Sequence, residues 1–75
     1  MRVKRGYWIT DGEQTGVFLD YRIDTDEFAA RLTVDGPTIW LNGQAISYAT
    51  VDQVEATGFA GTGYGRVMMQ GAHYG

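Results

Sequence analysis

The amino-acid sequence predicts a small all-β domain, an antiparallel meander of five to six short strands. Three observations carry that expectation. Val17, Leu19, Tyr21 and Ile23 alternate with Phe18, Asp20, Arg22 and Asp24, the period-2 pattern of a strand with one buried face. Val17, Tyr21 and Ile23 are β-branched or aromatic, types that pack well on a pleated surface. Turn-forming groups (Asp11-Gly12, Asp24-Thr25-Asp26-Glu27, Asp35-Gly36-Pro37, Asn42-Gly43) then cut the chain into short apolar runs.

Taken in order, Val3, Tyr7 and Ile9 share one phase, and Arg2, Lys4, Trp8 and Thr10 share the other, which reads as a first strand. A polar loop, 11–15, leads into the strand 17–23. The next stretch is ambiguous. Asp24 and Glu27 match a capping box and Phe28 and Leu32 are spaced i, i+4, as in a short helix over 25–32. Strand pairing resolves it in favour of a strand over 28–34. Ile23 then meets Phe28, Tyr21 meets Ala30, Leu19 meets Leu32 and Val17 meets Val34, while Asp20 falls opposite Arg31 as a cross-strand charge pair.

Ile39-Trp40-Leu41 follows as a strand, and Asn42-Gly43 predicts a two-residue type I′ hairpin. That turn sets Leu41 opposite Gln44, Trp40 opposite Ala45 and Ile39 opposite Ile46, with the strand running on through Tyr48. Thr50-Val51-Asp52-Gln53 matches a capping box and predicts one helical turn into Val54-Glu55-Ala56. Beyond it, Gly58, Gly61, Gly63, Gly65, Gly71 and Gly75 crowd a segment interleaved with Phe59, Tyr64 and Tyr74. Glycine at that density rarely sits in regular structure, so 58–75 reads as a Gly/aromatic-rich loop and tail with one short strand at 66–70. Residues 1–57 form the domain proper. Their strand spacing, with a helical turn late in the chain, resembles a small barrel of the SH3-like type, closed or half-open. That likeness is architectural, covers residues 2–57 and carries no functional residue.

Seventy-five residues make one small domain that buries only about 60% of its unfolded surface. There is no Cys, hence no disulfide and no Cys-based zinc site. The net charge of −3 argues against a general nucleic-acid binder. Charge is unevenly placed, however. Arg2, Lys4 and Arg5 lie within the first five residues, whereas Asp11, Glu13, Asp20, Asp24, Asp26 and Glu27 face the single Arg22. No signal-peptide pattern and no apolar run near the roughly 20 residues of a membrane span can be read, so the expected compartment is the cytoplasm, or a virion if the gene belongs to a phage.

The expected register exposes a stripe. Ile9, Val17, Val34, Ile39 and Ile46 line an inner row with Tyr7, Leu19, Leu32 and Leu41 beside them, which leaves Trp8, Phe18 and Trp40 aligned on the outer face. Three readings fit an outer aromatic stripe. Phe59, Tyr64 or Met68 of the tail covers it as a second small core. It is instead a protein-binding or self-association surface built from Trp8, Phe18, Trp40, Phe59, Tyr64 and Met68. Or it stacks the bases of single-stranded nucleic acid, using Tyr7, Trp8 and Trp40 with Arg2, Lys4 and Arg5.

Chemical motifs are weak. His73 is the only histidine and Ser47 the only serine, so neither a zinc site nor a Ser–His–acid arrangement is expected. Asp24-Thr25-Asp26-Glu27 lacks the ligand spacing of an EF-hand loop and reads as a solvated turn. Gly61-Thr62-Gly63-Tyr64-Gly65 lacks the helix that a phosphate-cradling loop needs, and reads as a tether or an adhesive contact with Met68 and Met69. No catalytic residue, metal or cofactor is expected. A free-standing, Cys-free, acidic domain of this size resembles in kind the small accessory proteins of phages and mobile elements, among them host-defence inhibitors such as anti-CRISPRs and virion-assembly proteins. The expected function is therefore a non-enzymatic protein–protein interaction module, homo-oligomeric or bound to a larger partner, with the nucleic-acid binder as the alternative.

Overall fold

In a computed structural model that describes residues 2–68, the chain is mostly sheet. Five antiparallel strands, β1 (Trp8–Thr10), β2 (Thr15–Arg22), β3 (Glu27–Arg31), β4 (Ile39–Asn42) and β5 (Ser47–Tyr48), lie in the order β4-β3-β2-β1-β5. One short helix, α1 (Val51–Ala56), follows. Single 3-10 turns occupy Gly43–Ala45 and Ala60–Thr62. The sheet is open rather than closed into a barrel, with β4 and β5 as its edges.

The organising strand is present, but its alternation is broken. Phe18 pairs with Ala30 and Asp20 with Ala29, so Leu19 is an extra residue, a β-bulge. The bulge changes the phase of the strand. Val17 before it and Asp20 after it lie on one face, whereas Phe18 and Tyr21 lie on the other. Arg5 secures the irregularity. Its Nε donates to the Leu19 carbonyl at 2.9 Å, and its Nη2 reaches Asp20 Oδ1 at 2.9 Å. Backbone groups that the ladder leaves unpaired are thereby satisfied from outside it.

Where the sequence fits a strand over 28–34 or a helix over 25–32, the structure has the strand Glu27–Arg31, and the β2–β3 turn has four residues, but the pairing differs from expectation by two. Arg22 faces Glu27 and Tyr21 faces Phe28 across the turn Ile23–Asp26. Ile23 and Val34, expected inside, are exposed. Asp20 pairs with Arg5 and not with Arg31. The reason lies in the turn. Asp26 takes φ +53°, a left-handed conformation that Asp tolerates better than most residues, and this closes the hairpin one residue earlier.

Asn42-Gly43 forms no hairpin. Asn42 stays extended, and its side chain accepts from the Gln44 N–H to cap the 3-10 turn. β5 returns to β1 instead, pairing Ile9 with Tyr48 and Thr10 with Ser47. Gly43 is buried with its N–H donated to the Asp26 carbonyl at 2.8 Å, and a Cβ there would collide with Asp26. Glycine is required here by close approach, not by positive φ. The capping box at Thr50 and Gln53 forms in full, with both reciprocal hydrogen bonds present.

The two faces of the sheet carry two cores. One gathers Val3, Ile9, Phe18, Phe28, Ala30, Leu41 and Ile46. The other gathers Trp8, Val17, Ala49 and Val54, with Leu32, Tyr64 and Val67 packed against them. The expected outer stripe is therefore not formed. Trp8 and Phe18 are each 2% exposed and lie on opposite faces. Because β1 is covered on both sides, neither of its faces is solvent-facing and its alternation says nothing about inside and outside.

Part of the C-terminal segment supplies that cover. The Trp8 N–H donates to the Arg66 carbonyl and the Arg66 N–H to the Gly6 carbonyl, each at 2.8 Å, making one parallel bridge between Tyr7 and Arg66. Residues 69–70 of the expected strand 66–70 lie outside the described residues.

Candidate functional site

The second-core face divides into two halves. Over β1 and the start of β2 it is covered by α1 and residues 64–67. Over β4 it is open among the described residues, although Ala29 of β3 beside it is buried. Register places Trp40 beside Ala29 and Ala29 beside Asp20 on this open half. Trp40 is 40% exposed, and the Arg22 guanidinium stacks 4.6 Å from its ring centroid. Asp20, Tyr21, Arg22 and Trp40 enclose a shallow cavity of about 150 Å³. The Arg5 guanidinium beside it, hydrogen-bonded to Asp20, holds that carboxyl below its ordinary value, helped by the Tyr21 amide. Among the described residues Arg5–Asp20 is the one ion pair, and Arg22 makes none.

The free edge of β4 is capped. The Asn42 N–H, which points away from β3, donates to Asp11 Oδ2 at 2.9 Å, and Gln14 Nε2 reaches the Trp40 carbonyl at 3.3 Å. Asp11 also accepts from the amides of Glu13 and Gln14. Partial burial pulls its pKa upward, but the amides of Asn42, Gln14 and Glu13 together outweigh that and hold it below its ordinary value. The β1–β2 loop thus does what a further strand would do in a closed barrel. Edge-to-edge pairing through β4 is blocked, and β5 has only two residues.

A second constellation sits at the far end of the β2–β3 hairpin. The Tyr21 hydroxyl donates to Asp26 Oδ1 at 2.8 Å, and the Gln44 side-chain amide donates to Asp26 Oδ2. The bond to Asp26, with some desolvation, raises the Tyr21 pKa above its ordinary value. Phe28 lies beneath, its ring 4.7 Å from that of Tyr21. With Arg2 and Gly43 these residues line a cleft of about 260 Å³. Asp26 was legible in the sequence only as one acid of a solvated turn, and Tyr21 only as an inward residue. A left-handed Asp in a tight hairpin turn leaves no mark in composition.

Of the side chains expected at an interaction surface, Trp40 and Phe59 are exposed, Tyr64 and Met68 are half-buried, and Trp8 and Phe18 are core. The structure brings Tyr64 to Trp8, not to Trp40. For the nucleic-acid alternative, Arg2, Lys4 and Arg5 are exposed, but Arg5 is engaged with Leu19 and Asp20. Tyr7 is half-buried edge-on against Tyr48, 5.6 Å between centroids. With Trp8 buried, no row of stacked aromatics is assembled beside these cations among the described residues.

Among the described residues, no three His, Cys, Asp or Glu side chains converge to hold a metal ion. His73 lies outside them. No helix among them is long and apolar enough to cross a membrane. Fold and surface together define a small antiparallel all-β domain with one capped edge and one open half-face. Comparison with protein-family models, with curated proteins and with solved structures finds no match to this chain.

Proposed function

We propose that this chain is a non-enzymatic protein-binding module that docks through the Trp40–Arg22 corner. The observation behind this reading is the stacked pair itself. Trp and Arg are the residue types that most often anchor interfaces, and here they are held together on a sheet face where both stay exposed among the described residues. The stack also restricts the Arg22 guanidinium before any partner arrives, so less side-chain entropy is lost on binding. With no ion pair among the described residues, Arg22 suits a protein surface that offers a carboxylate beside an apolar side chain. The blocked β4 edge favours contact through side chains over strand addition.

On this reading the protein acts by occluding a partner's surface and needs no catalytic group. Occlusion is how host-defence inhibitors, which this chain resembles in kind, would act, and on this reading the expected compartment is the cytoplasm.

A photo-crosslinking side chain at position 40, with one at exposed Glu13 as control, tests the proposal in cells. The expected result is a discrete protein adduct from position 40 alone, lost in Arg22→Glu, whose identity separates a foreign partner from a second copy. Adducts that match the Glu13 control, with wild type and Trp40→Ala sedimenting as the same monomer, would sink it.

A further inference from the structure

The Asp26 cleft holds two opposite charges that do not neutralise each other. Among the described residues, Arg2 has one hydrogen bond, from Nη2 to the Gly43 carbonyl at 3.4 Å, and no ion pair. Asp26 shares the cleft but cannot turn toward Arg2. Its backbone is set at φ +53°, its carbonyl accepts the Gly43 N–H, and its two carboxylate oxygens are engaged by Tyr21 and Gln44. Between the two charges lie the rings of Tyr21 and Phe28. An ionised carboxylate offers about four acceptor positions, and only two are used here. A guanidinium presents five donors, most of them unengaged here. A separation of charge beside an aromatic floor is complementary to a molecule with the reverse polarity.

We infer that this cleft binds a small dipolar ligand of the amino-acid class, with a carboxylate on Arg2, an ammonium on Asp26 and an aromatic or bulky aliphatic body over Phe28 and Tyr21. Carboxylate on guanidinium is the bidentate geometry that Arg favours, and an ammonium near the Tyr21 face gains cation–π attraction. The cavity of about 260 Å³ lies just below the roughly 300 Å³ at which common ligand pockets begin, so a single amino acid fits the scale and a nucleotide does not. This site lies on the opposite face of the sheet from the Trp40–Arg22 corner and shares only Tyr21 with it.

Titration of the full chain with L-phenylalanine, followed by amide chemical shifts, tests the inference, with phenylacetate and phenethylamine as probes that each keep one charge. Saturable shifts are expected at Tyr21, Asp26, Glu27, Phe28 and Gly43, with a midpoint for phenylalanine about tenfold below that of either probe. Arg2→Ala should erase the advantage over phenethylamine. Asp26→Asn should erase the advantage over phenylacetate, and it keeps the hairpin because Asn tolerates the same left-handed backbone. Trp40→Ala should bind as wild type does. Absence of saturable shifts, one common midpoint for all three ligands, or preferences that survive both variants would each overturn the inference.

Discussion

Trp8 and Trp40 occupy the same face of the same sheet, yet one is the centre of a core and the other is surface. Backbone pairing does not separate them, since each sits in a strand and faces a small or branched neighbour, Val17 or Ala29. What separates them is chain connectivity. α1 and residues 64–67 follow β5, which lies beside β1, so the late part of the chain is delivered to the Trp8 half. The Trp40 half is three strands away and, among the described residues, keeps Trp40 exposed. A sheet face is thus not inside or outside as a whole; each half is covered according to what the chain brings to it next.

The largest expected effect tests that contrast directly. Trp8→Ala should cost about 3–5 kcal/mol, enough to unfold much of a domain this small, whereas Trp40→Ala should cost under about 1 kcal/mol. Urea melts of the two variants check this, and comparable losses would erase the distinction. Gly65→Ala comes next. Gly65 has φ +86°, and a Cβ there would run into Val17 and the Trp8 indole. The expected cost is about 1–3 kcal/mol, with red-shifted Trp8 emission as the cover lifts. An unshifted spectrum in a Trp40→Phe background would show that residues 64–67 do not seal that half.

The smallest effect belongs to the open half. Asp11→Ala removes the acceptor that ties the β1–β2 loop to β4 and should cost about 1 kcal/mol. Because the folded-state pKa of Asp11 lies below its ordinary value of 3.8, its contribution is present above that pH and is lost as pH falls through the depressed value. Acid titration of stability should therefore show wild type and Asp11→Ala separated by a constant amount above about pH 4 and converging below it. Parallel curves throughout would remove Asp11 from the account.

Local features of this fold were legible in the sequence. The capping box at Thr50 and Gln53 needs only residues three apart, and it forms as read. The choice of strand over helix at 27–31 also held, although the register that argued for it was offset by two. Leu19 explains part of that failure, because one inserted residue defeats any inference from alternation. Asn42-Gly43 failed differently. Its local preference for a type I′ turn yielded to a tertiary contact, Gly43 against Asp26, that no short-range pattern announces. The outer stripe failed because β1 is buried on both sides, so Trp8 reads as outward only if one assumes a single core. Trp40 alone of the three survives as a surface aromatic. Arg22 was legible as the lone cation among acids, but not as its stacking partner.

The position of β2 between the two cores has a consequence for how the molecule comes apart. Since β2 gives Val17 to one core and Phe18 and Tyr21 to the other, the two cores share a spine and neither can melt while the strand persists. The domain behaves as one cooperative unit despite its two hydrophobic centres. Slow-exchanging amides of β2 should then report the same opening free energy on both sides of Leu19. A single-residue deletion there would restore the regular alternation of the strand but leave Val17 and Phe18 on opposite faces, so the coupling of the two cores should survive it.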